Sequence, residues 1–443
     1  MWSKEYDDCL NYIDSYWDKI IHKKNYSSKF IRLFVDLFKN KDLNFIVLPF
    51  SHLSPNDSKF KYTYYWDTFF MFQGLIGTKH EWIMEEMLKN FFFLFKNFSL
   101  IPNYNSPASL NRSQPPFLTS MILDVYKIKL KRGGESYSKK WLKGAIKIAK
   151  NEYQDVWIDK KGLFNHSVEN IPLSRYGDRD IGYAHSSELE SGWDFTSRFY
   201  NSCNEYLPID LNSYLYKYET DFALFYEILG NVPGSENWRK IAETRKEIMN
   251  RLMWDEKKGF FFDFNWHKST KSEFVSLAGF TPLWTGLATP KQAKQMIQML
   301  PSFETKYGLT ITDRNSLAHN LEGVSKTTPY ADAINRVLNP KQWDYPNIWP
   351  PLEYLTVIGL MKYGFIDKAK NIMSNSVKAH ADLYRTYKTF FEKINAETGK
   401  PGKNFEYLNQ KGFGWTNAVF YNYIIQLDTF DSEIPNEKLR YEI

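Results

Sequence analysis

Helical periodicity is the feature that most restricts what this 443-residue chain can fold into. From about residue 80 onward, apolar residues return every three or four positions, the spacing of one helix face. Glu81–Phe98 carries Ile83, Met87, Phe91 and Leu94 in that register. The same pattern predicts helices over Ser113–Tyr126, Tyr137–Glu152, Glu188–Tyr200, Leu211–Leu229, Ser235–Leu252 and Pro290–Leu300. It continues over Leu352–Tyr363, Phe365–Ser376, Ala379–Lys393 and Trp415–Leu427. Ser113–Tyr126 opens with Ser and two early prolines, which suit a helix start where N–H groups are free anyway. WIDKKGLF at Trp157–Phe164 and WDEKKGFF at Trp254–Phe261 each follow a helix and put a Gly turn before aromatic residues, which predicts short hairpins. Ile31–Leu53 reads as short strands or extended cover, with LNFIVLPF as the best strand candidate.

No polar linker interrupts the later chain. The expectation is one all-α-dominated domain over residues 1–443, a ring of paired helices with short hairpin and loop insertions. Residues 1–55 would form an N-terminal cover or the first helices. In a ring of this kind the helix-end loops converge on one face and build a funnel.

Four stretches suit that face. Gln342–Pro351 reads QWDYPNIWPP, with two tryptophans, an amide, a carboxylate and three prolines in ten residues. Proline has no N–H to give and clashes in a helix interior, so this is a stiff loop holding flat rings beside polar tips. YYWD at Tyr64–Asp67, NRSQPP at Asn111–Pro116 and ESGWD at Glu190–Asp194 have the same character. Together they read as one sugar-binding site assembled from distant parts of the chain. The bland alternatives are core rings for Trp66 and Trp343, a surface ion pair for Arg112 and a helix cap for Asp194.

The bulk properties exclude other classes. Fifty-seven basic and 51 acidic side chains leave a formal charge of +6, small for the length. Lysine-rich Lys129–Lys150 reads as a solvated helix face, and there is no zinc-finger spacing or Gly-rich phosphate loop. Two cysteines, Cys9 and Cys203, exclude a disulfide scaffold. The first residues lack the basic start and apolar core of a signal peptide. No apolar run reaches the roughly 20 residues of a membrane helix. A cytoplasmic protein, monomeric or weakly homo-oligomeric, with no nucleic-acid or membrane partner, is the expectation. No cofactor and no metal is expected.

Glycosidic hydrolysis needs an acid to protonate the leaving oxygen and a base or nucleophile opposite it. Asp194, behind Trp193 and Gly192, is the acid candidate, because partial burial beside an indole disfavours the charged form. Its partner is sought in Phe390–Asn417, which offers Glu392, Glu397 and Glu406 among Gly and Pro residues that could form a lid. Glu397 falls in an exposed turn, and spacing does not choose between Glu392 and Glu406.

The chain resembles the trehalases and related inverting glycosidases built on an (α/α)6 barrel. QWDYPNIWPP matches the trehalase pattern of Gln-Trp-Asp, one residue, Pro, two residues and Trp. YYWDTFF, PNYNSPASLNRSQPP, ESGWDFTSRF and, near the C-terminus, GFGWTNAV match other family segments in the same order, so the resemblance covers roughly residues 50–425. It implies an inverting glycoside hydrolase acting on a small neutral or acidic glycoside, with α,α-trehalose as the first choice. Glucosylglycerate or mannosylglycerate is the alternative, and an inactive sugar-binding protein a further one. By resemblance Asp194 is the general acid, Glu392 in FEKIN the base, and Glu406 in FEY a sugar-contacting lid residue. Lys59, Phe60, Tyr65, Trp66, Asp67, Asn103, Arg112, Gln114, Gly192, Trp193, Gln342, Trp343, Trp349 and Trp415 are the implied substrate-binding set.

The chain departs from the family at its first segment. PNDSKF places Lys59 where trehalases have Arg, and Tyr62 stands at the position of a Glu. Lysine keeps the charge but loses the bidentate fork. RYGDRD replaces a second Arg-bearing segment, with Arg175 or Arg179 as its candidates. The lid reads GKPGKN, adding Lys400 and Lys403, and this charge favours an acidic aglycone.

Overall fold

A computed structural model describes residues 1–24, 44–179, 184–316, 341–402 and 407–432, with Ala184 and His185 described by their backbone alone. Among these residues the helices are, in chain order, α1 (Trp2–Glu5), α2 (Asp7–Ile20), α3 (Tyr65–Phe72), α4 (Ile83–Phe98), α5 (Leu118–Glu152), α6 (Ala184–Glu190) and α7 (Ile209–Ile228). They continue with α8 (Val232–Met253), α9 (Thr281–Thr285), α10 (Pro290–Met296), α11 (Pro350–Lys362), α12 (Ile366–Tyr387) and α13 (Gly414–Asp431).

Two kinds of helix alternate. Every residue of α3 is buried, and in α11 all but Ile358 and Lys362 are. In α8, by contrast, only Ser235, Trp238, Ala242, Arg245, Met249 and Met253 are buried, one stripe at helical spacing. The buried kind closes on itself. α3 packs on α5, α5 on α7, α7 on α9, α9 on α11, α11 on α13, and α13 returns to α3. The amphipathic kind lies outside, with α4 on α5, α8 on α7, α12 on α11 and α13, and α2 on α13. A break at Gly134 (φ 74°) divides α5 into an inner first half and an outer second half. The architecture is an (α/α)6 toroid. Local chemistry sets its corners: Asn231 caps α8, and Thr289 with Gln292 forms a capping box on α10. The strands are short pairs between helices, such as Trp254–Asp255 with Phe260–Phe261.

Several sequence expectations need correction. The stretch expected as a helix over Glu188–Tyr200 is helical only to Glu190, because Gly192 (φ 74°) and Phe195 (φ 60°) are left-handed and turn the chain out. The two helices expected over Phe365–Ser376 and Ala379–Lys393 are one, ended by left-handed Lys388, so Glu392 stands on the loop beyond it. Helix α5 begins after both prolines rather than with them, and its first N–H at Leu118 is met by the Tyr218 hydroxyl at 2.8 Å. The Trp157–Phe164 hairpin is instead a loop. Asp159 accepts the N–H groups of Leu163, Phe164 and His166 there, and the strands lie at Ser167–Val168 and Ile171–Ser174. In LNFIVLPF, residues 44–50 are not a strand; the nearby strand is His52–Leu53, paired with Ile21–His22. Leu43 and residues 31–42 of that expectation lie outside the described residues. Among the described residues no helix is long and apolar enough to cross a membrane.

The loops expected to carry function gather at helix ends. YYWD runs into α3, NRSQPP leads to α5, ESGWD leaves α6, QWDYPNIW leads to α11, and GF precedes α13.

Candidate active site

These loops enclose a cavity of about 50 Å³ lined by Pro55, Phe60, Tyr64, Trp66, Asp67, Gln114, Gly192, Asp194, Trp343, Glu392, Tyr407, Phe413 and Trp415. Three carboxylates from distant segments therefore line one space, with three indoles around them.

The indoles brace one another. Trp343 stacks on Trp349 with centroids 3.8 Å apart and planes 5° apart, and Trp193 stacks on its other side at 5.7 Å. Trp66 meets Trp343 at 5.6 Å and Trp415 edge-on at 6.2 Å. Gly192 permits this. It holds φ 74°, and a Cβ there would stand 2.8 Å from the Trp66 ring.

The Asp194 loop is pinned from both sides. Glu188 Oε1 accepts the N–H groups of Phe195 (3.0 Å) and Thr196 (3.3 Å). Asp344, inside QWD, accepts from the Thr196 hydroxyl, from the Ser197 N–H and hydroxyl at 2.9 and 2.6 Å, and from the Lys341 N–H. The Trp343 N–H donates to the Phe195 carbonyl at 3.1 Å. Glu190 ties the next layer together, receiving the Ser113 N–H, the Gly177 N–H and the ring of His166, the last at 2.7 Å.

Glu392 is held by charge-assisted contacts. Its Oε2 accepts from Lys393 Nζ at 2.9 Å and its Oε1 from the Tyr407 hydroxyl at 2.8 Å. Its carbonyl accepts Trp415 Nε1 at 3.1 Å, and its N–H donates to the Gln410 carbonyl. Asp67 lines the same cavity from the first turn of α3. Burial, and then the negative charges of Glu392 and Asp194, hold its carboxyl well above the usual range.

Nine of the expected residues share the cavity: Phe60, Trp66, Asp67, Gln114, Gly192, Asp194, Trp343, Glu392 and Trp415. The others do not line it. Tyr65 turns away from it, fully buried between the helix layers, with its hydroxyl 2.8 Å from Glu152 and 3.0 Å from that of Tyr218. One step along a helix rotates a side chain by about 100°, so Tyr65 and Trp66 diverge. Trp193 and Trp349 are the buried backing of Trp343. The Gln342 backbone carbonyl takes Asn347 Nδ2 and Trp349 Nε1, both at 2.9 Å. Asn103 donates to the Leu189 carbonyl, and half-buried Arg112 to Asn111 Oδ1. Lys59 is exposed, its Nζ 4.0 Å above the Tyr407 ring. Arg175 and Arg179 donate to backbone carbonyls away from the cavity. Glu406 and Lys403 lie outside the described residues. Pro55, Tyr64, Tyr407 and Phe413 were not singled out from the sequence. All four lie in segments that hold selected residues, PNDSKF, YYWD, FEY and GFGW, which was the available signal. Among the described residues no cluster of His, Cys, Asp and Glu is arranged to hold a metal ion.

Comparison with known families places this geometry. The profile described as Trehalase matches residues 11–190 and 182–428, almost the whole chain. The chain belongs to the trehalase family. Its curated relatives include the cytosolic neutral trehalase of Kluyveromyces lactis, 29% identical over 82% of this chain and 54% of that protein. The chain thus spans about half the length of the curated relatives it matches. Among solved structures it is similar to the neutral trehalase of Saccharomyces cerevisiae, with TM-score 0.72, 28% identity, and coverage of 86% of this chain and 74% of that one. The mannosylglycerate hydrolase of Thermus thermophilus shares the fold at TM-score 0.58 and 15% identity, covering 84% of this chain and 95% of that one.

Proposed function

We propose that this trehalase-family chain is an inverting glycoside hydrolase that cleaves α,α-trehalose to two glucose molecules. The observation that carries the reading is that Asp194 and Glu392, 198 positions apart in the sequence, line one cavity walled by Trp66, Trp343 and Trp415. In the proposed reaction Asp194 gives its proton to the bridging oxygen as that bond breaks. Glu392 removes a proton from a water that attacks the anomeric carbon from the opposite face. Asp67 is placed to accept a sugar hydroxyl, and an indole offers the flat surface on which an apolar sugar face stacks. The cavity is smaller than the roughly 300 Å³ or more of small-molecule sites. A disaccharide therefore needs a wider space than the one walled by Phe60 and Tyr407, whose rings meet edge-to-face at 5.3 Å.

A second reading, hydrolysis of an acidic glycoside such as glucosylglycerate or mannosylglycerate, is favoured by one observation. Lys59 stands exposed over the Tyr407 wall and makes no ion pair among the described residues. Product detection with purified protein on trehalose, glucosylglycerate and mannosylglycerate separates the readings. Glucose from trehalose supports the first. Rapid release from a glycerate glycoside alone replaces it with the second. Binding without turnover of any of the three reduces the chain to a sugar-binding protein.

A further inference from the structure

Three carboxylates line the cavity, and one buried cation touches one of them from behind the lining. Lys393 is fully buried, and the only carboxylate it ion-pairs with among the described residues is Glu392, at 2.9 Å. Its backbone is fixed on both sides. The Lys393 carbonyl accepts the Gly402 N–H at 3.0 Å and Asn409 Nδ2 at 2.8 Å, and the next residues, Ile394–Asn395, pair with Asn347–Ile348. Its ammonium lies 4.6 Å from the Trp349 ring and 5.0 Å from the Tyr407 ring. A desolvated ion pair contributes little net stability, since the cost of removing both charges from water offsets their attraction. Its placement here matters through what the charge does to its partner.

We propose that Lys393 is the positioning residue that selects Glu392, among the three carboxylates of this cavity, as the ionised base. The inference rests on the hydrolase reading and adds the group that sets its charge state. Among the described residues, the groups facing Glu392 are few. Asp67 comes from α3 and Asp194 from the loop after α6; both are acidic and oppose ionisation of a third carboxylate nearby. Tyr407 donates a neutral hydrogen bond. The α13 side chains at its backbone, Trp415 and Thr416, carry no charge. Among the described residues, Lys393 alone forms an ion pair with Glu392. Asp67 shows the converse: among the described residues it forms no ion pair, and its carboxyl is pushed up by burial and then by its two neighbours. Lys393 acts through Glu392 and is not itself a proton-transfer group.

The test is the pH profile of kcat/KM for Lys393→Met and Lys393→Arg beside the wild type. The acidic limb reports the base of the free enzyme. Removing the cation favours protonated Glu392, so the limb in Lys393→Met moves to higher pH, by about 1–3 on the pH scale. Below both limbs, kcat/KM falls about tenfold for every whole pH step that the limb moves. Lys393→Arg keeps the charge and returns the limb to within a few tenths of the wild-type pH. An unmoved limb in Lys393→Met overturns the inference, as does an equal displacement in Lys393→Arg. A wild type that cleaves none of the three glycosides defeats the hydrolase reading instead. The pair then remains testable by a thermal-melting cycle of Lys393→Met, Glu392→Gln and the double variant at pH 7. The proposal expects the double variant to melt above Lys393→Met, because no unpaired buried charge remains; strictly additive losses contradict it. The same cycle decides the matter where Lys393→Met does not fold, since the double variant is then expected to fold.

Discussion

At the scale of single residues, the candidate chemistry rests on side chains whose type was legible and whose direction was not. Asp194 stood out by its neighbours and Glu392 by the family resemblance, and both line the cavity. Asp194→Asn and Glu392→Gln are each expected to lower kcat by about 10²–10⁴-fold, the range for loss of a positioned acid or base. Steady-state kinetics with circular dichroism checks this, and full activity in either variant removes that residue from the mechanism. Asp67 carries a separate consequence. Its native carboxyl is held well above the usual range, so above about pH 4 the folded state keeps a proton that the unfolded state releases. Stability from this group is full below the unfolded pKa and is lost as pH rises through the folded one. Asp67→Asn has no such penalty. Its melting temperature is expected to equal the wild type near pH 4 and to exceed it by several degrees at pH 7, with glycoside turnover reduced. A gap independent of pH would contradict the assigned cause. Tyr65 shows why direction was hidden. YYWD offers two adjacent phenols, and only the exact start of α3 decides that Tyr64 lines the cavity while Tyr65 bonds Glu152.

At the scale of elements, the loops do the positioning. Asp344 was visible only as the last residue of QWD. Its work, fastening the QWD loop to Thr196 and Ser197 just past Asp194, depends on two segments meeting that are nearly 150 positions apart. No local pattern reports such a contact. Asp344→Asn puts an amide N–H₂ among these donors and loosens the Asp194 loop. A displacement of about 1 Å costs on the order of 10²-fold in rate, so kcat is expected to fall about that much with a smaller change in KM. An unchanged kcat would show that the loop holds its place by other contacts. Helix existence was read correctly where an apolar stripe was long, as in α4 and α8. It was misread where left-handed residues ended a pattern that continued on paper. Lys388 is neither Gly nor Asn, so nothing in its type announced its turn, whereas Gly192, just past α6, was a stop signal passed over. The long α12 was divided because its apolar stripe is irregular near Ser374–Lys378, while tertiary packing on α11 and α13 carries the helix through.

At the scale of the whole molecule, the ring exists because its first and last inner helices touch. Gly74, just past α3, lies against Ala418 of α13, and a Cβ there would stand 2.4 Å from the Ala418 Cα. Gly74→Ala must push these helices apart at the closure, with an expected cost of about 1–3 kcal/mol. Gly144, on the open outer part of α5, has nothing within 4 Å of an added Cβ, and Gly144→Ala is expected to stabilise by about 0.4–1 kcal/mol. Denaturant melts of both variants check the contrast; equal effects would mean that the contact does not close the ring. The alternation of buried and amphipathic helices was legible as a ring of pairs. Which helix meets which was not, because closure joins α3 to α13 across more than three hundred residues. The central claim is that Asp194 and Glu392 act from opposite faces of one glycosidic bond, and proton NMR of early trehalose hydrolysis tests it most directly. Inversion at the attacked carbon predicts β-glucose and α-glucose in equal amounts before mutarotation; α-glucose alone, or no glucose, would contradict the account.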